Sequence, residues 1–484
     1  MIMIEKKKLI FFVLLCLIAT AKAFTEAEAI QIALKNNPEI KISTIALSRD
    51  SLDLKKAQAD AFLQAQVSGN KILEIHPATR NSFSGADTVT RSLETGFEGT
   101  VSQHIPGGGN VSASVESWGT RYLDSSEAGF TTYSGLTVTQ PLLKDAWSNA
   151  PIDYQITIEK KNLNISSEKF KDDILDILSR VREAYLDWLS SMHAVEIRKV
   201  ELEYTRNALD YEKARFQLGE KAEMDTLAAA LELLRARENL MSAEYTEKTA
   251  RKRFSLELGI NTGELPGLSD SSIHISPIPS ADAIMVHIEE NNYQLKLIDL
   301  AKELLELQYD KHKNSLLPSV DVSAGVQTTR RGSNFFSSNS ATAANPNVID
   351  PWVGITFTYD ILARKERYSK KQTELSLQSN EIEKTYFINQ QKVAVGEFVD
   401  AWAQDSAKLN IRSAEVIIAE KNHNYAVERY QLGEIDNLTK LKAQKDLINA
   451  KLNKLFAQVN LKRLEIAVDK VTANVFNRFG VALK

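Results

Sequence analysis

From residue 152 to residue 218 the chain carries neither proline nor glycine. Apolar residues recur there at helical spacing through Ile174, Leu175, Leu178, Val181, Tyr185 and Leu189. Proline and glycine are the residues that interrupt helices, so the pattern predicts one continuous helix from about residue 151 to residue 218. At ~1.5 Å per residue it reaches about 100 Å, far beyond an ordinary globular helix. Helices in water are held mainly by burying an apolar face. A helix this long, with few large aromatics, has too thin a core to stand alone and needs other long helices beside it.

The sequence supplies them by repeating itself. Arg215-Phe216-Gln217-Leu218-Gly219-Glu220 returns as Arg429-Tyr430-Gln431-Leu432-Gly433-Glu434, and the same offset superposes Trp188 on Trp402 and Leu227 on Leu441. Asn36-Asn37-Pro38-Glu39-Ile40-Lys41 answers Asn291-Asn292-Tyr293-Gln294-Leu295-Lys296, and Thr139 before Pro141-Leu142-Leu143 answers Thr358 before Asp360-Ile361-Leu362. Each half reads as helix, strands, then very long helices, the mark of a duplication. Thr25-x-x-Glu28 opens the first helix as a capping box, and Asn37-Pro38 restarts it, so helix is expected to about residue 63 with a break at Pro38. Further long helices are expected over 224–258, 364–432 and 438–468. The implied division is a leader over 1–23, a first repeat over 24–270, a second over 271–471 and a tail over 472–484.

Between the helices the apolar period drops to two. Val320, Val322, Ala324 and Val326 alternate with polar or small residues, as do Val353, Ile355, Phe357, Tyr359 and Ile361. The first half offers Leu93, Phe97 and Val101, then Val111, Ala113 and Val115, then Leu136 and Val138. Strands of about 8 to 10 residues with one apolar face suit a tilted crossing of a bilayer. Pro106-Gly107-Gly108-Gly109-Asn110 joins the first two as a hairpin. The second half builds the same strand-to-helix switch without one, so the hairpin is expected to be dispensable for helical assembly. The segments 75–92, 119–131 and 328–350 are rich in Ser, Thr, Asn, Gly and Ala and suit loops at an outer rim. Trp118 and Trp352 sit at strand ends, where an interfacial aromatic belt and the edge of a soluble sheet would equally put them.

Lys6, Lys7 and Lys8 precede an apolar run that ends at Ala21-Lys22-Ala23, which reads as a secretory leader cleaved before Phe24. The one cysteine, Cys16, lies inside it, so no disulfide and no lipid anchor are expected. No later stretch approaches the ~18 consecutive apolar residues of a spanning helix, so any membrane crossing must be made by strands. A few such strands cannot close a barrel, and an open edge in lipid leaves backbone groups unpaired, so several copies must pool them. Basic residues are scattered among acids, which gives no footprint for nucleic acid. The seven histidines are dispersed, no glycine loop opens a helix with a Lys-Ser/Thr pair, and no Ser/His/Asp arrangement stands out. No metal, cofactor or enzymatic activity is expected.

The order of elements, the repeat, Asn36-Asn37-Pro38-Glu39, Thr139-Gln140-Pro141-Leu142 and the doubled Arg-aromatic-Gln-Leu-Gly-Glu segments resemble the TolC-like outer-membrane efflux proteins, over essentially all of the mature chain. The resemblance implies an α+β membrane protein: a long α-helical coiled-coil barrel continued by a transmembrane β-barrel shared between protomers, with an internal twofold repeat. It implies an outer-membrane channel subunit of a tripartite efflux or type I secretion system, a homotrimer to which each copy gives four strands, with the helical part in the periplasm. The implied partners are outer-membrane lipid, a periplasmic adaptor (membrane fusion protein) and an inner-membrane pump. Drug efflux, metal efflux and polypeptide secretion share the scaffold. By the same resemblance the adaptor docks at the helical tips, around Arg215, Leu218, Gly219, Arg429, Leu432 and Gly433, where both glycines also read as left-handed helix caps. A periplasmic gate near these turns would use an Asp225 to Tyr430 hydrogen bond. Ile435, Thr439 and Lys442 depart from the family's remaining gate residues, so its full lock and acidic ring do not carry over. A periplasmic coiled-coil adaptor or interaction protein is the competing reading, distinguished by a single long hairpin flanked by small β-rich domains.

Overall fold

A computed structural model describes residues 24–75, 79–80, 87–88, 91–123, 128–220, 222–265, 272–332 and 349–481. The expected leader and the middles of the three expected loops lie outside the described residues. The elements in chain order are α1 (Glu26–Asn36), α2 (Pro38–Ala59), β1 (Gln64–Ile75), β2 (Arg91–Ile105), β3 (Gly109–Tyr122), β4 (Ala128–Pro141), α3 (Pro151–Gln217), α4 (Glu223–Leu258), α5 (Ala281–Asn291), α6 (Tyr293–Asn314), β5 (Ser319–Gly332), β6 (Ile349–Thr358), α7 (Arg364–Gln431), α8 (Asn437–Val471) and α9 (Val475–Arg478). Among the described residues no helix is long and apolar enough to cross a membrane.

The helices match across the halves in length: 11 residues in α1 and α5, 22 in α2 and α6, 67 in α3 against 68 in α7, and 36 in α4 against 35 in α8. They also match in how they start. Thr25 and Glu28 exchange both capping-box hydrogen bonds at 3.3 Å. Asn37 accepts from Glu39 N at 2.8 Å and donates through Nδ2 to Glu257 O at 2.7 Å, while Asn292 accepts from Leu295 N at 3.1 Å and donates to Val471 O at 3.1 Å. Each asparagine thus caps one helix and ties down the end of a long one, satisfying orphan groups at both termini. Helix α2 ends at Ala59, short of residue 63, because 64–75 is already extended as β1.

The chain forms two compact units. The first comprises the described residues within 24–46, 168–297 and 385–481. Its core holds Phe24, Ile177, Val181 and Leu258, with Phe254 stacked on Trp188 at 5.4 Å and edge-on to Phe24 and Tyr185 at 5.9 and 5.7 Å. Beneath lies an ion cluster that helical periodicity does not announce. Arg182, fully enclosed, donates through Nε to Glu26 at 2.5 Å and through Nη1 to Asp469 at 2.9 Å, with Glu465 3.9 Å away. Arg478 of α9 pairs with Asp469 and, at 2.5 Å, with Glu465. The segment after Val471 is therefore packed: Val475 is buried beside Ile30, Ile174 and Leu178.

The second unit comprises Leu47–Ser167 and Ile298–Lys384. Its helical segments are joined in a row by polar contacts, Asp50 to Ser166 at 2.5 Å, Lys161 to Glu303, and Lys302 to Glu381 at 3.0 Å. Its six strands form one sheet in chain order, β1-β2-β3-β4-β5-β6, with every neighbouring pair antiparallel. A separate two-residue ladder joins Thr79–Arg80 to Asp87–Thr88. Directly opposed residues share a face, so the register can be read straight across the sheet. One row is Ala65, Val101, Ala113, Leu136, Val326, Pro351; the next is Gln66, Thr100, Ser114, Gly135, Gln327, Asp350. One face is apolar and largely exposed, the other polar, across all six strands.

Two expectations change here, and one question that the sequence leaves open is answered. First, β1 is a full strand that the sequence reading passed over, because Gln-Ala-Gln-Val-Ser-Gly-Asn-Lys carries only a weak alternation. Strand β6 in turn stops at Thr358, where Asp360 turns the chain by accepting from Leu362 N and Ala363 N at 3.1 and 3.0 Å. Second, Trp118 and Trp352 lie on the polar face, in rows with Asn70, Gly96 and Thr131 and with Ser112, Thr137 and Gly325. They cover glycines instead of forming an interfacial belt: a Cβ at Gly96 would meet Trp118 at 2.6 Å, and one at Gly325 would meet Trp352 at 2.9 Å.

Third, the 106–110 hairpin is integral to the sheet. Strand β2 is paired on both sides, by β1 over 91–102 and by β3 over 92–105, and β3 is paired by β2 and β4. The turn is wedged under the start of α3: Gly107 N donates to Asp153 at 3.0 Å, while Gly107 O accepts from Trp147 N at 2.9 Å and from Gln140 Nε2 at 3.0 Å. Gly107 and Gly108 have φ of 92° and 91°, and a Cβ on Gly108 would stand 2.6 Å from Asp145 O. The turn therefore needs glycine for both conformation and space.

Candidate functional site

Helices α3 and α7 end in the same way. Gly219 and Gly433 adopt φ of 76° and 78°, the left-handed cap expected from the sequence. Gly219 N donates to Phe216 O at 2.9 Å and Glu220 N to Arg215 O at 3.0 Å; Gly433 N donates to Tyr430 O at 3.1 Å and Glu434 N to Arg429 O at 2.9 Å. These are paired Schellman motifs. Each is latched by a contact that sequence reading missed: Arg215 Nε donates to Glu220 and Arg429 Nε to Glu434, both at 2.9 Å. The arginine of each Arg-aromatic-Gln-Leu-Gly-Glu segment thus closes on its own glutamate across the turn. The Glu220 carboxylate beside Arg215 holds its guanidinium above the ordinary value.

Between latch and glycine a leucine points outward at each tip, Leu218 with 73% and Leu432 with 74% of its surface exposed. A Cβ at either glycine would meet nothing within 4 Å, so the need for glycine at both positions is purely conformational. Met224 at the first tip and Leu438 at the second are as exposed, at 73% and 72%, so each polar turn carries bare apolar side chains.

Behind the tips the two helical hairpins are joined at a buried point. Tyr430, on the last turn of α7, donates its hydroxyl to Glu212 of α3, and both side chains are buried. The expected Asp225 to Tyr430 bond is not made: Asp225 sits half-buried in the first turn of α4, its N–H bonded to Ala222 O at 3.1 Å. The resemblance singled out Tyr430 but not its partner, since Glu212 lies one helical turn before Arg215 on a face that only packing identifies. Burial first, then the Glu212 carboxylate that accepts its proton, push the Tyr430 hydroxyl well above its ordinary value. Lys440 Nζ lies over the Tyr430 ring at 3.9 Å from its centre, and the Tyr211 ring lies 5.4 Å from that of Tyr430. Glu212 Oε2 is buried without a hydrogen-bond partner among the described residues.

The three positions that depart from the family pattern, Ile435, Thr439 and Lys442, line one open groove of about 1190 Å³ between α7 and α8, shared with Ile411, Ile418 and Tyr425. Thr439 N donates to the Asp436 carboxylate at 2.9 Å, which caps α8. The groove wall is mixed in charge, with Glu415 and Asp446 beside Arg429 and Lys442.

A six-stranded antiparallel sheet with one apolar face and two pairs of helices of this length make up a fold shared with solved outer-membrane proteins. The solved structures most similar to it include CusC (TM-score 0.70, 14% identity, 92% of this chain and 91% of that one), VceC of Vibrio cholerae (0.68, 13%, 92% and 95%) and CmeC of Campylobacter jejuni, an outer membrane channel (0.65, 12%, 96% and 93%). No curated protein matches the chain in sequence. Residues 110–259, from β3 to the end of α4, match the family described as outer membrane efflux protein. The likeness to these structures over 92% of the chain or more shows the fold, and within it residues 110–259 carry the family match. Two long helical hairpins and a single six-stranded sheet also differ from the one-hairpin adaptor alternative.

Proposed function

We propose that three copies assemble into a single duct, in which pooled strands cross the outer membrane and the long helices line a periplasmic tunnel. The observation that carries this reading is the sheet: six strands share one exposed apolar face and leave both edges, β1 and β6, without a partner among the described residues. An open edge in lipid costs several kcal/mol per unpaired group, so closure by further copies is the economical solution. The equal helix lengths of the two halves and their equivalent asparagine caps support the twofold repeat, with a first repeat over 24–270 and a second over 271–471. Cross-linking in mild detergent is expected to give heat-modifiable trimers; monomers alone would sink the proposal.

The adaptor docks at the two tips, against Leu218 and Leu432, with Arg215 and Arg429 held in place by their latches and Gly219 and Gly433 turning the chain. The pump is reached through that adaptor. The gate is the Tyr430 to Glu212 link, which ties α3 to α7 just behind the tips, with Asp225 on the neighbouring helix outside that bond. Tyr430→Phe removes a buried donor from a carboxylate, a change of about 1.5 to 3 kcal/mol. If the gate is held at this point, the variant loosens it, and single-channel conductance in planar bilayers is expected to rise several-fold. Glu212→Gln keeps an acceptor and should lie between. Unchanged conductance in Tyr430→Phe would remove this contact from the gate.

A further inference from the structure

The resemblance implies four strands from each subunit, and the sheet has six. The two additional strands are β2 and β3, the hairpin about Gly107. It lies between β1 and β4, so the sheet cannot reach from one edge to the other without it. The rows of opposed residues continue through it unchanged, Val101 and Ala113 on the apolar face and Thr100 and Ser114 on the polar one. Six alternating strands leave β6 antiparallel to β1, so β6 of one copy can pair with β1 of the next and the pattern repeats until the ring closes.

We propose that this channel closes an eighteen-stranded transmembrane barrel, three copies giving six strands each, with the β2–β3 hairpin in its wall. The inference rests on the trimeric reading above. With strands ~4.8 Å apart and tilted by about 40°, eighteen strands give a barrel about 36 Å across its backbone, against about 24 Å for twelve. Barrels of 16 to 18 strands keep an open aqueous lumen, whereas small ones are filled by their own side chains. The outer mouth is therefore sized for bulky hydrated cargo. The hairpin also sets part of the lumen's charge, since Glu98 and Glu116 stand directly opposite each other on the polar face.

The test uses single cysteines in the full-length protein in outer-membrane vesicles; the natural cysteine, Cys16, falls in the expected leader. Glu98→Cys and Glu116→Cys face the lumen and are expected to react with a small water-soluble maleimide at least fivefold faster than Val101→Cys and Val115→Cys, which face lipid. Equal reaction at all four positions would put the hairpin in water outside the wall and overturn the proposal. Electron cryomicroscopy of the unmodified assembly counts the strands independently of any substitution: eighteen are expected. Twelve in a trimer would overturn the wide barrel and leave the trimeric duct standing, whereas a protein that is not a trimer would take both down.

Discussion

Arg182→Ala is expected to cost about 3 to 5 kcal/mol, the loss that follows when one partner is removed from a buried ion cluster and the others stay behind. Glu26, Glu465 and Asp469 would be left around an empty centre, with Arg478 and Lys462 placed to answer only part of their charge. The loss falls on the first unit, because Arg182 joins α1, α3 and α8. Purified protein should dissociate and unfold at a markedly lower temperature, and abundance in the outer membrane should fall. Arg182→Lys should recover only part of it, since an ammonium group lacks the guanidinium fork that reaches two carboxylates in different directions. A melting temperature unchanged in Arg182→Ala would mean that the carboxylates relax to water and the cluster is not a tie.

The second large effect is on export. Gly219→Val and Gly433→Val each place a β-branched side chain at a positive φ, at about 1 to 3 kcal/mol per site. Nothing crowds either position, so the chain can relieve the strain by opening the turn, and the Arg215 to Glu220 and Arg429 to Glu434 latches would open with it. The double variant should reach the outer membrane at near-normal abundance, because the core and the sheet are untouched, yet export should be lost. Normal export at wild-type abundance would remove the tips from the mechanism; failure of insertion would show that the turns serve folding first.

What the sequence disclosed follows from the range of the forces involved. Helix ends are local events, so α3, α4, α7 and α8 begin and end within a few residues of expectation, and the two Schellman glycines needed only the pattern around them. Strand β1 was missed because its alternation is weak and its place comes from pairing with β2, far along the chain. The orientation of Trp118 and Trp352 depended on register, which a strand's own sequence leaves open until its neighbours are known. The hairpin's place was left open for the same reason: comparison between halves marked it as surplus, and only the sheet order puts it between β1 and β4. Arg182 and Glu212 are buried charges whose partners lie on other helices, and no spacing rule links residues that distant. The fold was legible as a resemblance carried by the order of elements, the repeat and the doubled tips, while the residue that Tyr430 meets was not.

The open edges β1 and β6 also have a genetic consequence. In the proposed trimer one copy's β6 meets another's β1, so the contact is head to tail and every subunit in the closed ring is indispensable. A chain with one edge spoiled but both helical hairpins intact would still be recruited and would leave its ring unsealed. Expressed in equal amount beside the natural chain, it would spare only about one trimer in eight. Damage confined to an edge strand should therefore behave as dominant, whereas loss of the whole chain should be recessive.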